Sequence, residues 1–68
     1  MNQDILKGQW KQVRGQAREW WGKLTDDEFT RINGSAERLE GFLQTQYGYE
    51  REKAKMEIQR FIEQNHLH

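Results

Sequence analysis

The sequence predicts a small all-α domain of four helices. Apolar residues recur at spacings of three and four along most of the chain, which is the period of a helix that buries one face. The chain has no proline, so nothing forces a helix to break. At 68 residues it is long enough for one domain only, and its three Trp, three Phe and two Tyr supply the large side chains of a core.

The first helix is predicted by the longest apolar stripe in the chain. Asn2 or Asp4 could cap its start, and the segment 22–25 ends it. The helical spacing favours Trp20 as the deeper tryptophan, whereas an internal repeat pairs Trp21 with Tyr47, so both alternatives stay open. The stripe consists of Leu6, Trp10, Val13, Ala17, Trp20 and Leu24.

A helical corner is specified around Thr25. Thr25 and Glu28 have the spacing of a capping box, and Leu24 and Phe29 have that of a hydrophobic staple. The carboxylates of residues 26–28 then lie in the first helical turn, where the helix dipole favours negative charge. Capping explains these carboxylates, which lack the spaced loop of a calcium site.

Three further helices follow the corner. The second runs from about residue 26 to 32 and stops at Asn33-Gly34, and the third ends at Gly48 in a left-handed cap. The fourth begins near Glu50. The side chains predicted to be buried are Trp10, Val13, Trp20, Leu24, Phe29, Leu39, Leu43, Ile58 and Phe61.

An internal repeat organises the chain. A shift of 26 residues places each glycine of the first triplet on one of the second and also aligns Trp21 with Tyr47. We therefore expect a single domain, 1–68, built from two similar hairpins, 1–32 and 33–64, with a frayed tail at 65–68. The two glycine triplets are Gly8, Gly15 and Gly22, and Gly34, Gly41 and Gly48.

Gly15 and Gly41 lie inside predicted helices, where glycine costs about 1 kcal/mol relative to alanine. Both lie about half a turn from the apolar stripe of their own helix. Three readings remain open: close approach of the other hairpin, a flat strip for a partner, or tolerated weakness. We expect close approach, so that alanine at either position would clash.

Composition argues against several classes of function. The chain has no Cys and one Ser, and its two His residues lie in the tail, so the groups that a nucleophilic enzyme needs are missing. Two ligands, His66 and His68, would make a weak metal site. No stretch has the length of a membrane span or the pattern of a signal peptide. We expect a cytoplasmic monomer without enzymatic activity, cofactor, metal or membrane association. The sequence does not identify a specific partner.

The charge is zero overall but unevenly distributed. Residues 1–24 carry five basic and two acidic residues, and residues 25–68 carry six basic and nine acidic ones, so the two parts can attract each other. In the basic part, Lys7, Lys11, Arg14 and Arg18 follow one side of the first helix. This basic stripe is the candidate contact surface for nucleic acid, although a solvated or internally paired face is the simpler interpretation.

Three motifs resemble a known family. The runs Gly8-Gln9-Trp10-Lys11-Gln12-Val13-Arg14-Gly15, Trp21-Gly22-Lys23-Leu24-Thr25-Asp26-Asp27 and Tyr47-Gly48-Tyr49 closely resemble the CsbD-like family of small bacterial stress-response proteins, especially its YjbJ branch. The resemblance implies two roughly orthogonal hairpins similar to the SAM-domain-like fold, in a bacterial cytoplasmic protein that becomes abundant under general stress. The family has no established biochemical activity, so it implies no site residues. The C-terminal residues depart from the aromatic-containing tails of this branch.

Two hypotheses for the function follow. The leading one is protection of macromolecules during osmotic or desiccation stress, because a hydrophilic, glycine-rich chain without Cys resembles hydrophilin-like proteins in composition. The alternative is a small module that binds nucleic acid or protein through the basic stripe. A binding module should show a defined dissociation constant, whereas a protectant should not.

Overall fold

The computed structural model describes residues 3–67, with side-chain surroundings from Leu6 to Leu67. No described residue lies in a strand, so the all-α prediction is confirmed. The first helical unit consists of three consecutive segments, and counting it as one gives the four predicted helical units. The elements are α1 (Gln3–Gln9), a 3-10 helix (Trp10–Val13), α2 (Arg14–Trp20), α3 (Asp26–Ile32), α4 (Ala36–Tyr47) and α5 (Arg51–Gln64).

The 3-10 helix corrects the prediction of an unbroken first helix. The backbone leaves the α conformation at Gln9 (φ −115°, ψ 8°) and at Val13 (φ −100°, ψ 18°). A 3-10 helix turns by about 120° per residue, so side chains three apart lie directly above one another. Trp10 and Val13 are three apart and both are buried. The interruption therefore directs both side chains into the core without a proline.

Of the neighbouring Trp20 and Trp21, Trp21 is the buried one, so the prediction from the helical stripe was wrong. Trp21 is 2% exposed, whereas Trp20 is half-buried at the edge of the core. The helix ends at Trp20, and Trp21 has an extended backbone (φ −118°, ψ 96°). Because Trp21 lies outside the helix, helical phase does not govern the direction of its side chain.

One half of the predicted capping box forms at the corner between α2 and α3, whereas the Glu28 carboxylate lies 3.6 Å from Arg31 instead of returning to the Thr25 amide. The Thr25 hydroxyl accepts a hydrogen bond from the Glu28 amide at 3.2 Å. Leu24 and Phe29, the predicted staple pair, are both buried in the same core cluster. Ser35 caps α4 in the same way by accepting from the Arg38 amide. The predicted cap of the first helix by Asn2 or Asp4 lies outside the described residues and side chains.

Replacing Thr25 with alanine should lower the free energy of unfolding by about 0.5–2 kcal/mol, because the Glu28 amide loses its acceptor. Glu28→Ala should cost less, since that amide belongs to the backbone and is kept. Urea denaturation of both variants measures the difference. An unchanged midpoint for Thr25→Ala would mean that the cap contributes nothing to stability.

The core is a single cluster of apolar side chains, and α4 packs against α5, α3 and α1. Every residue predicted to be buried is buried except Trp20. The division into hairpins 1–32 and 33–64 and the SAM-domain-like arrangement remain predictions. The cluster comprises Leu6, Trp10, Val13, Ala17, Trp21, Leu24, Phe29, Ile32, Ala36, Leu39, Phe42, Leu43, Ala54, Ile58, Phe61, Ile62 and Leu67.

The prediction of a frayed tail was wrong for residues 65–67. The Leu67 amide donates to the Ile62 carbonyl at 3.0 Å, and the Leu67 side chain is only 6% exposed. His66 takes a positive φ of 55°, which reverses the chain after α5. The turn folds Leu67 back onto the core, and apolar burial there offsets the cost of ordering the tail.

The surroundings of Gly15 and Gly41 also differ from the close approach that we expected. A Cβ atom on either glycine would meet no atom within 4 Å outside its own helix, so no backbone of the other hairpin approaches them. Gly41 lines an open groove between α3 and α4. The close-approach reading was therefore wrong, and the flat strip and the tolerated weakness remain.

Gly15→Ala and Gly41→Ala should each stabilise the fold by about 0.5–1 kcal/mol. Both positions are helical and open, and alanine reduces the entropy of the unfolded chain. Thermal denaturation of the two single variants and the double variant provides the measurement, and the two effects should add. A lower melting temperature for either single variant would contradict the open geometry.

Candidate functional site

The four cations of the basic stripe are all exposed, and the two ends of the stripe have different surroundings. Lys11 and Arg14 border a cavity of about 270 Å³ beside the stacked Trp10 and Phe29 rings. Lys7 instead borders a separate depression next to the turn at residues 33–35. The 3-10 helix separates the two ends of the stripe, because its turn per residue differs from that of an α-helix.

Arg14 and Arg18 both reach across the corner to Asp26. Their guanidinium nitrogens lie 2.7 Å and 2.9 Å from the same carboxylate oxygen. The hydrogen bond from Arg14 lowers the pKa of Asp26 below its ordinary value, desolvation opposes this shift, and the positive charges of Arg14 and Arg18 lower the pKa further. All three side chains are about half exposed, so the pairs contribute little stability. This part of the stripe is internally paired.

Acid should weaken the fold partly through Asp26. A lowered pKa in the folded state means that the paired carboxylate contributes stability above the pKa of an unfolded aspartate. That contribution is lost as the pH falls through the lowered folded-state pKa. Urea midpoints measured from neutral to acidic pH should therefore fall less steeply for Asp26→Asn than for the wild type. Parallel curves would mean that Asp26 does not contribute to the acid sensitivity.

Lys7 and Lys11 differ from the two arginines. Neither side chain makes an ion pair or hydrogen bond within the described part of the protein. The backbone of Lys7 packs closely on Gly34, which fixes where this lysine leaves the surface. Among the described side chains, therefore, the positive charge of the stripe that lacks an acidic partner is that of Lys7 and Lys11.

A second cationic group, Lys23 and Lys53 on two tyrosine rings, was not predicted from the sequence. Lys23 lies over the Tyr47 ring with its Nζ atom 5.3 Å from the centroid, and Lys53 lies over Tyr49 at 5.1 Å. The two tyrosine rings stack on each other with centroids 5.4 Å apart. The Lys23 amide also donates to the Tyr47 hydroxyl, and its Nζ atom donates to the Gln46 carbonyl. The internal repeat aligned Tyr47 with Trp21, but it did not indicate that Lys23 contacts Tyr47. That contact depends on how the corner after α2 packs against the end of α4.

The cluster of Lys23, Tyr47, Tyr49 and Lys53 has a structural role. Each ring already contacts the other ring and one lysine, so a nucleic acid base could stack only by displacing one of them. The cluster joins the corner after α2 to the C-terminal end of α4. We assign it to folding.

The described residues contain neither a cluster of metal ligands nor a membrane-spanning helix. No group of three or more His, Asp or Glu side chains comes together there in a way that could hold a metal ion. None of the helices in residues 3–67 is long and apolar enough to cross a membrane.

The fold and surface define a small helical domain with an apolar core and a surface rich in charge of both signs. Comparison with known families then identifies it further. Residues 4–56 match the CsbD-like family model, so the chain belongs to the CsbD-like family. The resemblance inferred from the three motifs is confirmed.

Curated relatives match nearly the whole chain. A UPF0337 protein of Bordetella pertussis is 51% identical over 65 residues, which cover 96% of this chain and 98% of that protein. A UPF0337 protein of Pectobacterium atrosepticum is 46% identical over 68 residues, covering 100% and 99% respectively. The UPF0337 protein YjbJ of Escherichia coli K12 is 47% identical over 58 residues, covering 85% and 84%. No solved structure matches the chain.

Proposed function

We propose that this protein is a non-enzymatic stress-response protein that protects other macromolecules when water becomes scarce. One observation carries the proposal: no polar or charged side chain is buried in the described part of the chain, and Met56 is the one large apolar side chain found exposed there. The described charged groups therefore face solvent, and no broad apolar patch is available for a tight partner. The family membership supports a role in stress.

The physical basis is the charged surface itself. Charged residues make up 32% of the chain, and the arginine of each described ion pair is 46–72% exposed and so remains hydrated, whereas the paired Glu40 and Glu57 are only 16% and 20% exposed. Such a surface can separate drying client proteins and reduce contact between their apolar patches. The function requires a folded, abundant and monomeric protein, and we propose the cytoplasm as its location.

Protection is tested by drying and rehydrating a labile client enzyme with increasing amounts of the protein. Recovered client activity should rise with the mass added and exceed that obtained with an equal mass of lysozyme. A variant with several exposed lysines and glutamates replaced by glutamine should protect less while keeping its helical circular dichroism. Equal recovery with the folded variant and the wild type would contradict a role for surface charge.

Nucleic acid binding is the second candidate, and it is favoured by Lys7 and Lys11, which are exposed and make no ion pair with the side chains of residues 6–67. Asp26 opposes it, because it neutralises part of the charge of Arg14 and Arg18. If all four cations contact phosphates, the log–log dependence of affinity on salt should have a slope of about −3 to −4. The candidate is therefore a weak, salt-sensitive and sequence-independent binder.

The test titrates labelled duplex and single-stranded DNA and RNA at low salt. Asp26→Asn should tighten binding by releasing both arginines, and Lys11→Glu with Arg14→Glu should abolish it. Asp27→Asn is the matched control, because Asp27 is exposed on the same helical turn and makes no ion pair with the stripe. Absence of binding below about 100 μM, weaker than usual non-specific affinities, would exclude this function.

A further inference from the structure

Trp20 is a large aromatic side chain that the core does not fully enclose. Its ring meets Phe61 with centroids 5.7 Å apart at 76°, and it meets Trp21 at 6.4 Å and 66°. Two rings nearly perpendicular to it thus support the indole while it remains half-buried. The fold presents a supported aromatic surface at the C-terminal end of α2.

A polar depression lies beside this tryptophan. Its volume is about 350 Å³, near the lower end of the range of about 300–1,000 Å³ that is usual for ligand pockets. The ordered turn after α5 closes one side, because Leu67 holds that turn against the core. The lining consists of Gln16, Glu19, Trp20, Gln64 and Asn65.

The polar groups of this depression have hydrogen-bonding capacity to spare. The side chains of Gln16, Glu19 and Gln64 make no hydrogen bond or ion pair within the described residues. The Asn65 amide nitrogen donates to the Phe61 carbonyl at 2.9 Å, which fixes the carboxamide and leaves its oxygen available. Three carboxamides and one carboxylate together offer donors and acceptors on planar groups.

We propose that this depression binds a saccharide. The apolar C–H face of a pyranose ring can lie against an indole, while its hydroxyl groups exchange hydrogen bonds with planar amides and a carboxylate. The volume suits one or two sugar rings. The residues that carry recognition are Trp20 as the apolar surface and Gln16, Glu19, Gln64 and Asn65 as hydrogen-bonding partners. The proposal does not rest on the protective function, because binding is measured in dilute solution.

An organic cation is the competing ligand, because an indole and a carboxylate also suit a quaternary ammonium group. The lining favours the saccharide, since Glu19 provides one negative charge whereas the amides provide donors that a cation cannot use. A nucleic acid strand is disfavoured because no lysine or arginine lines this depression. The experiment includes the cation as a separate arm.

The test is an NMR titration with maltose in dilute buffer, following the indole resonance of Trp20 and the side-chain amides of Gln16, Gln64 and Asn65. Maltose should shift these resonances saturably with a dissociation constant in the millimolar range. Glycerol, which has hydroxyl groups but no apolar ring face, should not saturate. Melting temperature is unsuitable as a readout, because sugars stabilise proteins generally by exclusion from the surface.

Variants decide the location of the site. Gln16→Ala and Gln64→Ala remove hydrogen-bonding groups without touching the core, and each should weaken maltose binding several-fold. Trp20→Ala should weaken it by about tenfold or more. Gln59→Ala is the matched control, since Gln59 is exposed on α5 and does not line the depression.

Three outcomes would overturn the proposal. The first is a shift that grows linearly with maltose and never saturates. The second is unchanged binding in Gln16→Ala and Gln64→Ala, which fold as the wild type does. The third is saturation by choline chloride without saturation by maltose, which would identify an organic-cation site instead.

Discussion

Replacing Gly34 with alanine should destabilise the protein by about 2–5 kcal/mol, the sum of two separate effects. Gly34 has a φ of +79°, a conformation that costs a residue with a Cβ about 1–2 kcal/mol. A Cβ atom there would also lie 2.6 Å from the Cα atom of Lys7. Because that neighbour is backbone, relief requires α1 to move away from the turn before α4, and such overpacking costs about 1–3 kcal/mol.

Gly48→Ala is the matched control for Gly34→Ala. Gly48 also has a positive φ, +70°, but a Cβ atom there would meet nothing within 4 Å. This variant should therefore lose only the conformational part, about 1–2 kcal/mol. Urea denaturation of both variants isolates the contact with Lys7 as the difference between them. Equal losses would show that α1 does not press on the turn.

Phe61→Ala should cost about 3–5 kcal/mol, because it leaves a cavity in the middle of the core. Phe61 is fully buried, and its ring centroid lies 4.9 Å from that of Trp21 and 5.7 Å from that of Trp20. Removal of the ring therefore deprives two tryptophans of an aromatic neighbour. In a domain of this size each kcal/mol lowers the melting temperature by about 4–8 °C, so the variant should unfold far below the wild type.

Phe61→Leu and Met56→Ala complete this series. Leucine keeps most of the buried volume and should cost less than alanine. Met56 lies on the same helix but is 63% exposed, so its replacement should change the melting temperature little. Tryptophan fluorescence should shift to longer wavelength in Phe61→Ala, because water reaches the indoles. An unchanged emission maximum and melting temperature would mean that the Phe61 ring does not stabilise the core.

Local signals predicted most of the secondary structure correctly. Thr25 and Glu28 cap α3 because capping depends on residues close in sequence, and Gly48 ends α4 with a left-handed backbone for the same reason. The apolar spacing identified every buried residue of the predicted set except Trp20. The burial of Trp20 was predicted wrongly because α2 ends at that residue. The extended backbone of Trp21 then turns its side chain, rather than that of Trp20, into the core.

The surface was harder to predict, because distant segments determine it. The opposite charges of the two parts of the chain indicated internal pairing, but nothing in the sequence named Asp26 as the partner of both Arg14 and Arg18. The open space around Gly15 and Gly41 depends on how the helices pack. The depression beside Trp20 exists because the tail folds back, and apolar periodicity ends before Leu67.

The interruption of the first helix has a consequence for local opening of the chain. Seven residues of α1 are too few for a stable isolated helix, and the 3-10 helix separates their hydrogen-bond ladder from that of α2. We therefore expect α1 to open locally at a lower cost than α4 or α5, since its packing on α4 rather than its own length keeps it folded. Such an opening would carry Lys7 away from Arg14 and Arg18 at a cost below global unfolding. The spacing of the positive charges on this surface would then change whenever α1 opens.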